Sequence, residues 1–362
     1  MWPKQYETFW ALVMTTTDQP GSPQQAELLE PSSGNIQRCA DALLSGHLVA
    51  FPTETVFGLG AAVTDLKAVQ SIFKAKGRPS EHPLIAHVAP GADLNGWVAE
   101  ITPVMQQLMN AFWPGPLTLV VPKGERMPLE VTGGQQSVGV RCPSHPVAIE
   151  LLKAVGVPVA APSANRFGKV SPTRAIHVLA ELGDRIPFVL DGEVPEVGIE
   201  STIVSLLNAQ PAILRPGAIT AAQIEAELGV SVIPHAEVSR TPLGNPRVSG
   251  ALEKHYSPDA KVSVVAASQL RNWLASSSSG HSATLLCVGW TDAYLQQARA
   301  LRESNPGVLV EVLGNHPSAV AQALYATLRQ ADELGCQQVL FECPAAEVAW
   351  EAVADRLKRA SA

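Results

Sequence analysis

Between residues 231 and 260 the chain loses its amphipathic periodicity, and this break constrains the fold more than any other feature. The stretch SVIPHAEVSRTPLGNPRVSGALEKHYSPDA carries Pro234, Pro242, Pro246 and Pro258. Proline fixes φ and removes a backbone donor, so neither a helix nor a central strand runs through such a segment. The stretch is too long for an idle loop and reads as an interdomain linker. A chain of 362 residues also exceeds the ~250–300 at which single cores stop growing. The reading divides the chain into a poorly ordered extension (1–31), a large domain (32–230), the linker (231–260) and a small domain (261–362).

Past the linker, strand patterns over 262–265, 284–288, 308–313 and 338–341 alternate with helical patterns over 268–274, 292–303, 317–334 and 347–358. That alternation predicts a small parallel α/β layer domain, with the ASSSSGH stretch at 275–281 as a flexible loop. Before the linker, helices are expected over 35–44, 65–77, 102–112, 146–154, 174–182 and 220–228. Short strands are expected over 47–51, 84–88, 137–141 and 157–161, and in WPGPLTLVV, FVLDG, GIESTIVSL and ILRPG. The segment PTETVFGLGAAVTD reads as polar hydroxyls followed by Gly58, Gly60 and a Thr64–Asp65 helix cap. Residues 1–31 are rich in Thr, Gln, Pro and Ser, and Met14 opens a second candidate start.

The formal charge of −7 argues against a protein that coats nucleic acid, because such binding neutralises many phosphates. Five scattered cysteines without a C-x-x-C pair fit reduced thiols in a cytoplasmic protein better than a disulfide or zinc framework. No apolar run approaches a membrane span. Against this acidic background FKAKGRPSEHPLIAH places Lys74, Lys76 and Arg78 at every second residue, then His82 and His87. Such a knot is a local device for holding an anion, although from composition alone a K-x-K-x-R at a helix end is more often a solvated face.

There is no Walker P-loop, the dinucleotide glycine fingerprint fails at its third glycine, and H-E-x-x-H and G-x-S-x-G are missing. What remains are polar clusters where strands meet loops: Thr53/Thr55, the basic knot, His82/His87, Arg141, Ser163/Asn165, Ser171, Glu200/Ser201/Thr202 and Arg215. Loop residues at strand ends converge in open α/β sheets. Five cations could hold a polyphosphate and a carboxylate while hydroxyls and amides orient the polar parts. Each cluster taken alone is also an ordinary cap or turn.

The motifs PTETVFGLG, KAKGRPSEHPL, FWPGPLT, VGVRCPSHP, APSAN–GKVSPT, GIESTIV and LRPG stand in the order found in YrdC-like proteins. With HYSP and the following α/β domain, the chain resembles the long two-domain form, the threonylcarbamoyl-AMP synthases. The resemblance implies a twisted mixed sheet with a large basic cavity, and a Rossmann-like C-terminal domain joined by a linker able to cover that cavity. It implies formation of threonylcarbamoyl-AMP and pyrophosphate from L-threonine, bicarbonate and ATP with Mg²⁺. The product would pass to a tRNA threonylcarbamoyltransferase complex, with at most a weak RNA contact and no membrane. By motif, Thr55, His87, Arg141 and Ser201 would contact threonine, and Lys74, Lys76 and Arg78 would hold phosphate and carbamate. Arg78, His82, Ser137, Ser163, Asn165, Ser171, Arg215 and Tyr256 would contact the nucleotide. Phe57 stands where many relatives have Tyr, and SGALEKHYSP lacks the Met and second Tyr that others carry upstream of the HY pair. The alternatives are a carbamoyl-adenylate-forming domain and an RNA-binding module.

Overall fold

Proline punctuation does separate two sheets in the computed structural model, which describes residues 25–238, 246–250, 255–270 and 284–362. In the large domain the strands are β1 (Glu27–Leu29), β2 (Val49–Phe51), β3 (Gly58–Ala62), β4 (Ile85–His87), β5 (Leu117–Pro122), β6 (Ser137–Arg141), β7 (Val159–Ala160), β8 (Phe188–Leu190), β9 (Thr202–Ser205) and β10 (Ala212–Arg215). They form one mixed sheet in the order β1-β8-β2-β3-β7-β4-β6-β5-β9-β10. Its helices are α1 (Ser33–Leu44), α2 (Leu66–Lys76), α3 (Pro103–Phe112), α4 (Leu129–Thr132), α5 (Pro146–Val155), α6 (Ala175–Leu182) and α7 (Ala221–Leu228).

Alternate residues of one strand feed opposite faces, as a period of two requires. Val49 and Phe51 pack with Ile36, Leu43, Leu151 and Leu152 of α1 and α5. Ala50, between them, packs with Val69, Ile72, Met105 and Leu182 on the other face. Helix α2 starts where the Asp65 carboxylate accepts from Lys67 N at 2.9 Å and Ala68 N at 3.0 Å. It ends at Gly77, whose φ of +63° suits the left-handed cap.

The small domain is a parallel sheet of β11 (Lys261–Val265), β12 (Leu285–Gly289), β13 (Val308–Val312) and β14 (Gln338–Glu342), ordered β11-β14-β12-β13. Following a one-turn helix α8 (His235–Val238), it carries α9 (Asp292–Ser304), α10 (Pro317–Glu333) and α11 (Glu351–Ala360). One apolar cluster crosses the domain boundary, joining Val56, Val170, Ile199 and Tyr256 to Leu324, Tyr325, Val353 and Leu357. At Gly198, a Cβ would stand 2.4 Å from the Cα of Gln322, so the loop before β9 touches α10 as only glycine allows.

Three features depart from the sequence reading or add to it. Order reaches back into the supposed extension: Glu27–Leu29 pairs parallel with β8, whereas residues 1–24 and Met14 lie outside the described residues. GLGAA, which the sequence analysis gave no element, is a buried strand, and a Cβ at Gly60 would stand 2.9 Å from both Phe51 and Val159. The glycines that hid the strand pattern are what let it pack. The linker is not free of the sheet either, because Ile233 bridges Ala212 and Val238 packs with Ile203 and Leu214. The helix expected over 268–274, the loop at 275–281 and residues 251–254 of the linker fall largely or wholly outside the described residues.

Candidate active site

Strand ends bring together what the sequence separates. Thr55 follows β2, His87 ends β4, Arg141 ends β6, Ser163 follows β7, Glu200 precedes β9 and Arg215 ends β10, and all line one pocket. Arg78 joins them from beyond α2. The linker closes the pocket with Ser249, Gly250, His255 and Tyr256, leaving about 40 Å³ of free space.

Each of the three guanidinium groups is anchored and buried. Arg78 Nη2 donates to the Pro83 carbonyl at 3.0 Å and to Ser249 Oγ at 3.3 Å. Arg141 Nη2 donates to Glu54 Oε1 at 2.6 Å. Arg215 Nε and Nη2 donate to the Ser201 carbonyl at 3.1 and 3.0 Å, and its Nη1 donates to the Ser249 carbonyl at 2.9 Å. Ser249 thus spans Arg78 and Arg215. Four buried polar atoms of this pocket nevertheless have no partner: Arg78 Nε, Arg141 Nε, His255 Nδ1 and Tyr256 Oη. Buried polar groups are rarely left unpaired, and a cluster of them marks a ligand's place.

The electrostatics agree. Burial, followed by Arg141, pushes His87 down to about 3. Burial likewise lowers His255 to about 3 and Arg78 to about 10, with Arg215 adding to the latter. Lys76 falls well below the ordinary lysine range through burial and then Arg78. Burial dominates each shift, and neighbouring cations add to it at His87, Arg78 and Lys76.

The predicted residues divide into groups. Thr55, Arg78, His87, Arg141, Ser163, Arg215 and Tyr256 line the pocket. Lys76 stands behind it, its ammonium donating to the carbonyls of Ser163 and Asn165. Asn165 shapes the same loop through its amide, which donates to the carbonyls of Arg166 and Lys169. Ser201 Oγ meets Thr118 Oγ1 at 2.7 Å, and Ser171 Oγ donates to Glu200 Oε1 at 2.6 Å. Ser137 lines an adjoining cleft on the other side of Ser249. His82 meets Phe167 edge-on at 5.4 Å, and Phe167 in turn meets His255 at 6.3 Å. Lys74 is the correction: it is exposed, beside His47 and Arg185. Residues two apart on a helix point about 200° apart, so α2 cannot aim both lysines at one site.

Sequence reasoning missed Glu54, Ser249, Tyr325 and Arg356. Glu54 had a signal, being the carboxylate inside PTET with Arg141 unpaired elsewhere. Tyr325 and Arg356 had none, since they reach Glu200 from the other domain.

Fold and pocket define a two-domain α/β protein whose linker closes over a pocket lined by three buried arginines. Residues 41–217 match the Sua5/YciO/YrdC family model, described as telomere recombination, and residues 219–362 match the threonylcarbamoyl-AMP synthase C-terminal domain. The threonylcarbamoyl-AMP synthase of Pyrococcus abyssi is 37% identical over 90% of this chain and 94% of its own. That of Schizosaccharomyces pombe is 34% identical over 94% and 90%. A crystal structure of P. abyssi Sua5 complexed with L-threonine superposes with a TM-score of 0.81 at 34% identity, covering 93% of this chain and 98% of that one. The chain belongs to the threonylcarbamoyl-AMP synthase family, in its long two-domain form.

Proposed function

We propose that this protein makes threonylcarbamoyl-AMP and pyrophosphate from L-threonine, bicarbonate and ATP, for the threonylcarbamoyl modification of tRNA adenosine beside the anticodon. The observation that carries this reading is the set of four unpartnered polar atoms among three buried arginines. Threonine's amine takes up CO₂ to give a carbamate. A carbamate oxygen attacks the α-phosphorus of ATP, forming a P–O bond as the bond to pyrophosphate breaks. Both reactants are anions, so fixed guanidinium groups offset their repulsion and hold them in line. No side-chain nucleophile is required.

Arg141, His87 and Thr55 form the threonine side of the pocket, with Ser201 behind it. Arg78, Arg215, Ser163 and Tyr256 face the nucleotide, with Ser171, Ser137 and His82 in outer positions. Lys76 holds the Ser163–Asn165 loop against the reacting groups. Mg²⁺ would arrive on the phosphates of ATP and neutralise part of their charge. Glu54 and Glu200 are each paired with an arginine.

The linker serves as a lid. About 40 Å³ is far below the ~300–1,000 Å³ of small-molecule sites, so Ser249–Gly250 and His255–Tyr256 must withdraw for ATP and return over it. We place the enzyme in the cytoplasm, handing its product to the transferase complex and touching RNA weakly at most. No described helix is long and apolar enough to cross a membrane. Pyrophosphate release with ATP and bicarbonate tests the reading: it should depend on threonine. Tight, salt-resistant RNA binding without turnover would overturn it.

A further inference from the structure

Glu200 presents a problem for a pocket that takes polyanions: a carboxylate lines it. The structure answers the problem from the other domain. Glu200 Oε2 accepts from Arg356 Nε at 2.9 Å and from Tyr325 Oη at 2.8 Å, while Oε1 accepts from Ser171 Oγ at 2.6 Å. Arg356 Nη2 also donates to the Glu200 carbonyl at 3.4 Å. Arg356 lies on α11 and Tyr325 on α10, and neither exposes more than a trace of surface, at 0% each. On its far side Arg356 Nη1 donates to Asp355 Oδ2 at 2.7 Å, and Asp355 is balanced in turn by Arg359.

We propose that Arg356 is a positioning residue for the catalytic pocket: it neutralises Glu200, so that the charges of Arg215 and Arg78 are left for the anionic substrate. The proposal rests on the ATP-dependent function argued above. It gives the C-terminal domain a part in the chemistry beyond packing. Besides Arg356, the guanidinium whose charge acts on Glu200 is Arg215. Without Arg356, Arg215 would turn from the nucleotide towards the carboxylate, or Glu200 would stand as a bare anion beside the phosphates. Both outcomes weaken ATP far more than threonine, whose Arg141 is held separately by Glu54. Burial alone would raise the Glu200 carboxyl, yet Arg356, then Arg215, Ser171 and Tyr325 hold it at about 2. The anion that must be cancelled is therefore present throughout the neutral range. The guanidinium carbon also lies 5.6 Å from the Tyr256 ring centroid, so the same group supports the closed linker.

The test compares full-length wild type, Arg356→Met, Arg356→Lys and the double variant Arg356→Met/Glu200→Gln. The readouts are the KM for ATP and the KM for threonine in threonine-dependent pyrophosphate release, with thermal unfolding alongside. Removing one partner of a buried pair leaves a bare charge, whereas removing both charges is often tolerated. We expect Arg356→Met to raise the KM for ATP about tenfold or more, with the KM for threonine within about threefold. The double variant should return the KM for ATP to within about threefold of wild type, with Arg356→Lys between.

An unchanged KM for ATP in Arg356→Met overturns the proposal. So does a folded double variant that is no better than the single one. If Arg356→Met does not fold, the double variant decides against wild type. If neither folds, the pair serves the fold and the proposal also fails. A wild-type protein without threonine-dependent turnover would instead refute the function itself, before any variant is compared.

Discussion

Arg141 Nη2 lies 2.6 Å from Glu54 Oε1, with both side chains buried, and Glu54 Oε2 accepts from Ser144 N at 3.1 Å. The pair fixes the guanidinium at the end of β6 while leaving its Nε–H without a partner. A buried carboxylate thus sets the direction of a guanidinium that lines the pocket.

Breaking this pair should cost both stability and threonine affinity. Glu54→Ala leaves a buried guanidinium uncompensated, at about 3–5 kcal/mol, and frees Arg141 to turn. Urea unfolding should show a loss of that order and kinetics a raised KM for threonine. Glu54→Gln, which keeps one acceptor oxygen, should do less harm. A stability within about 0.5 kcal/mol of wild type in Glu54→Ala, typical of surface changes, would contradict the account.

The three cations of the basic knot should separate sharply. Lys74→Ala should keep wild-type turnover, because Lys74 is exposed and lines a different surface. Arg78→Ala should lower threonine-dependent pyrophosphate release about a hundredfold or more, the usual scale for losing a fixed electrostatic group. Lys76→Ala should also abolish most activity, by releasing the Ser163 and Asn165 carbonyls that the ammonium holds. Equal effects at all three positions would show that the placement of α2 is wrong.

That separation marks how far the sequence carried. Helix and strand periodicity, the Asp65 cap and the Gly77 stop are local, and they were legible. Lys74 and Lys76 are spaced as neighbours on one face of a strand, but both lie on a helix, where that spacing sets them apart. Strand β3 was hidden because Gly58 and Gly60 carry no side chain to alternate, and their value lies in contacts with Phe51 and Val159. Pocket residues were found where a motif ended on a strand terminus. The pairings Glu54–Arg141 and Glu200–Arg356 were not, since partners 87 and 156 residues apart leave no spacing to read.

Stability should fall with acid below about pH 6.5. His87, His177 and His255 are each held at about 3, chiefly by burial, while in the unfolded chain they titrate near 6.5. Between these values the unfolded state binds more protons, so stability is complete above pH 6.5 and is lost as pH falls towards 3. Each histidine contributes up to about 1.4 kcal/mol per pH unit. His177 lies on α6, where its Nδ1 accepts from Thr173 N at 3.3 Å. His177→Gln should therefore reduce the slope of unfolding free energy between pH 6.5 and 5 by about one proton's worth. A slope unaltered by the substitution would refute this.

The linker's closure should depend on Gly250. Its φ is +78°, and a Cβ there would stand 2.5 Å from Tyr256 Oη and 3.1 Å from Arg215 Nη1. Gly250→Val should slow turnover by about tenfold or more, through backbone strain and the lost closed position. Truncation after Val230 removes Ser249, Tyr256, Tyr325 and Arg356 together and should leave no significant turnover. A fully active fragment would remove the linker and the C-terminal domain from the mechanism.

On the proposed function, this pocket joins a threonine carbamate to the α-phosphate of ATP. Incubating the full-length protein with ATP, bicarbonate and each amino acid in turn, and detecting adenylates by mass, addresses it most directly. The account predicts threonylcarbamoyl-AMP in the threonine reaction, dependent on bicarbonate, with little or no adenylate from the other amino acids. No adenylate with threonine, or equal yields with every amino acid, would contradict it.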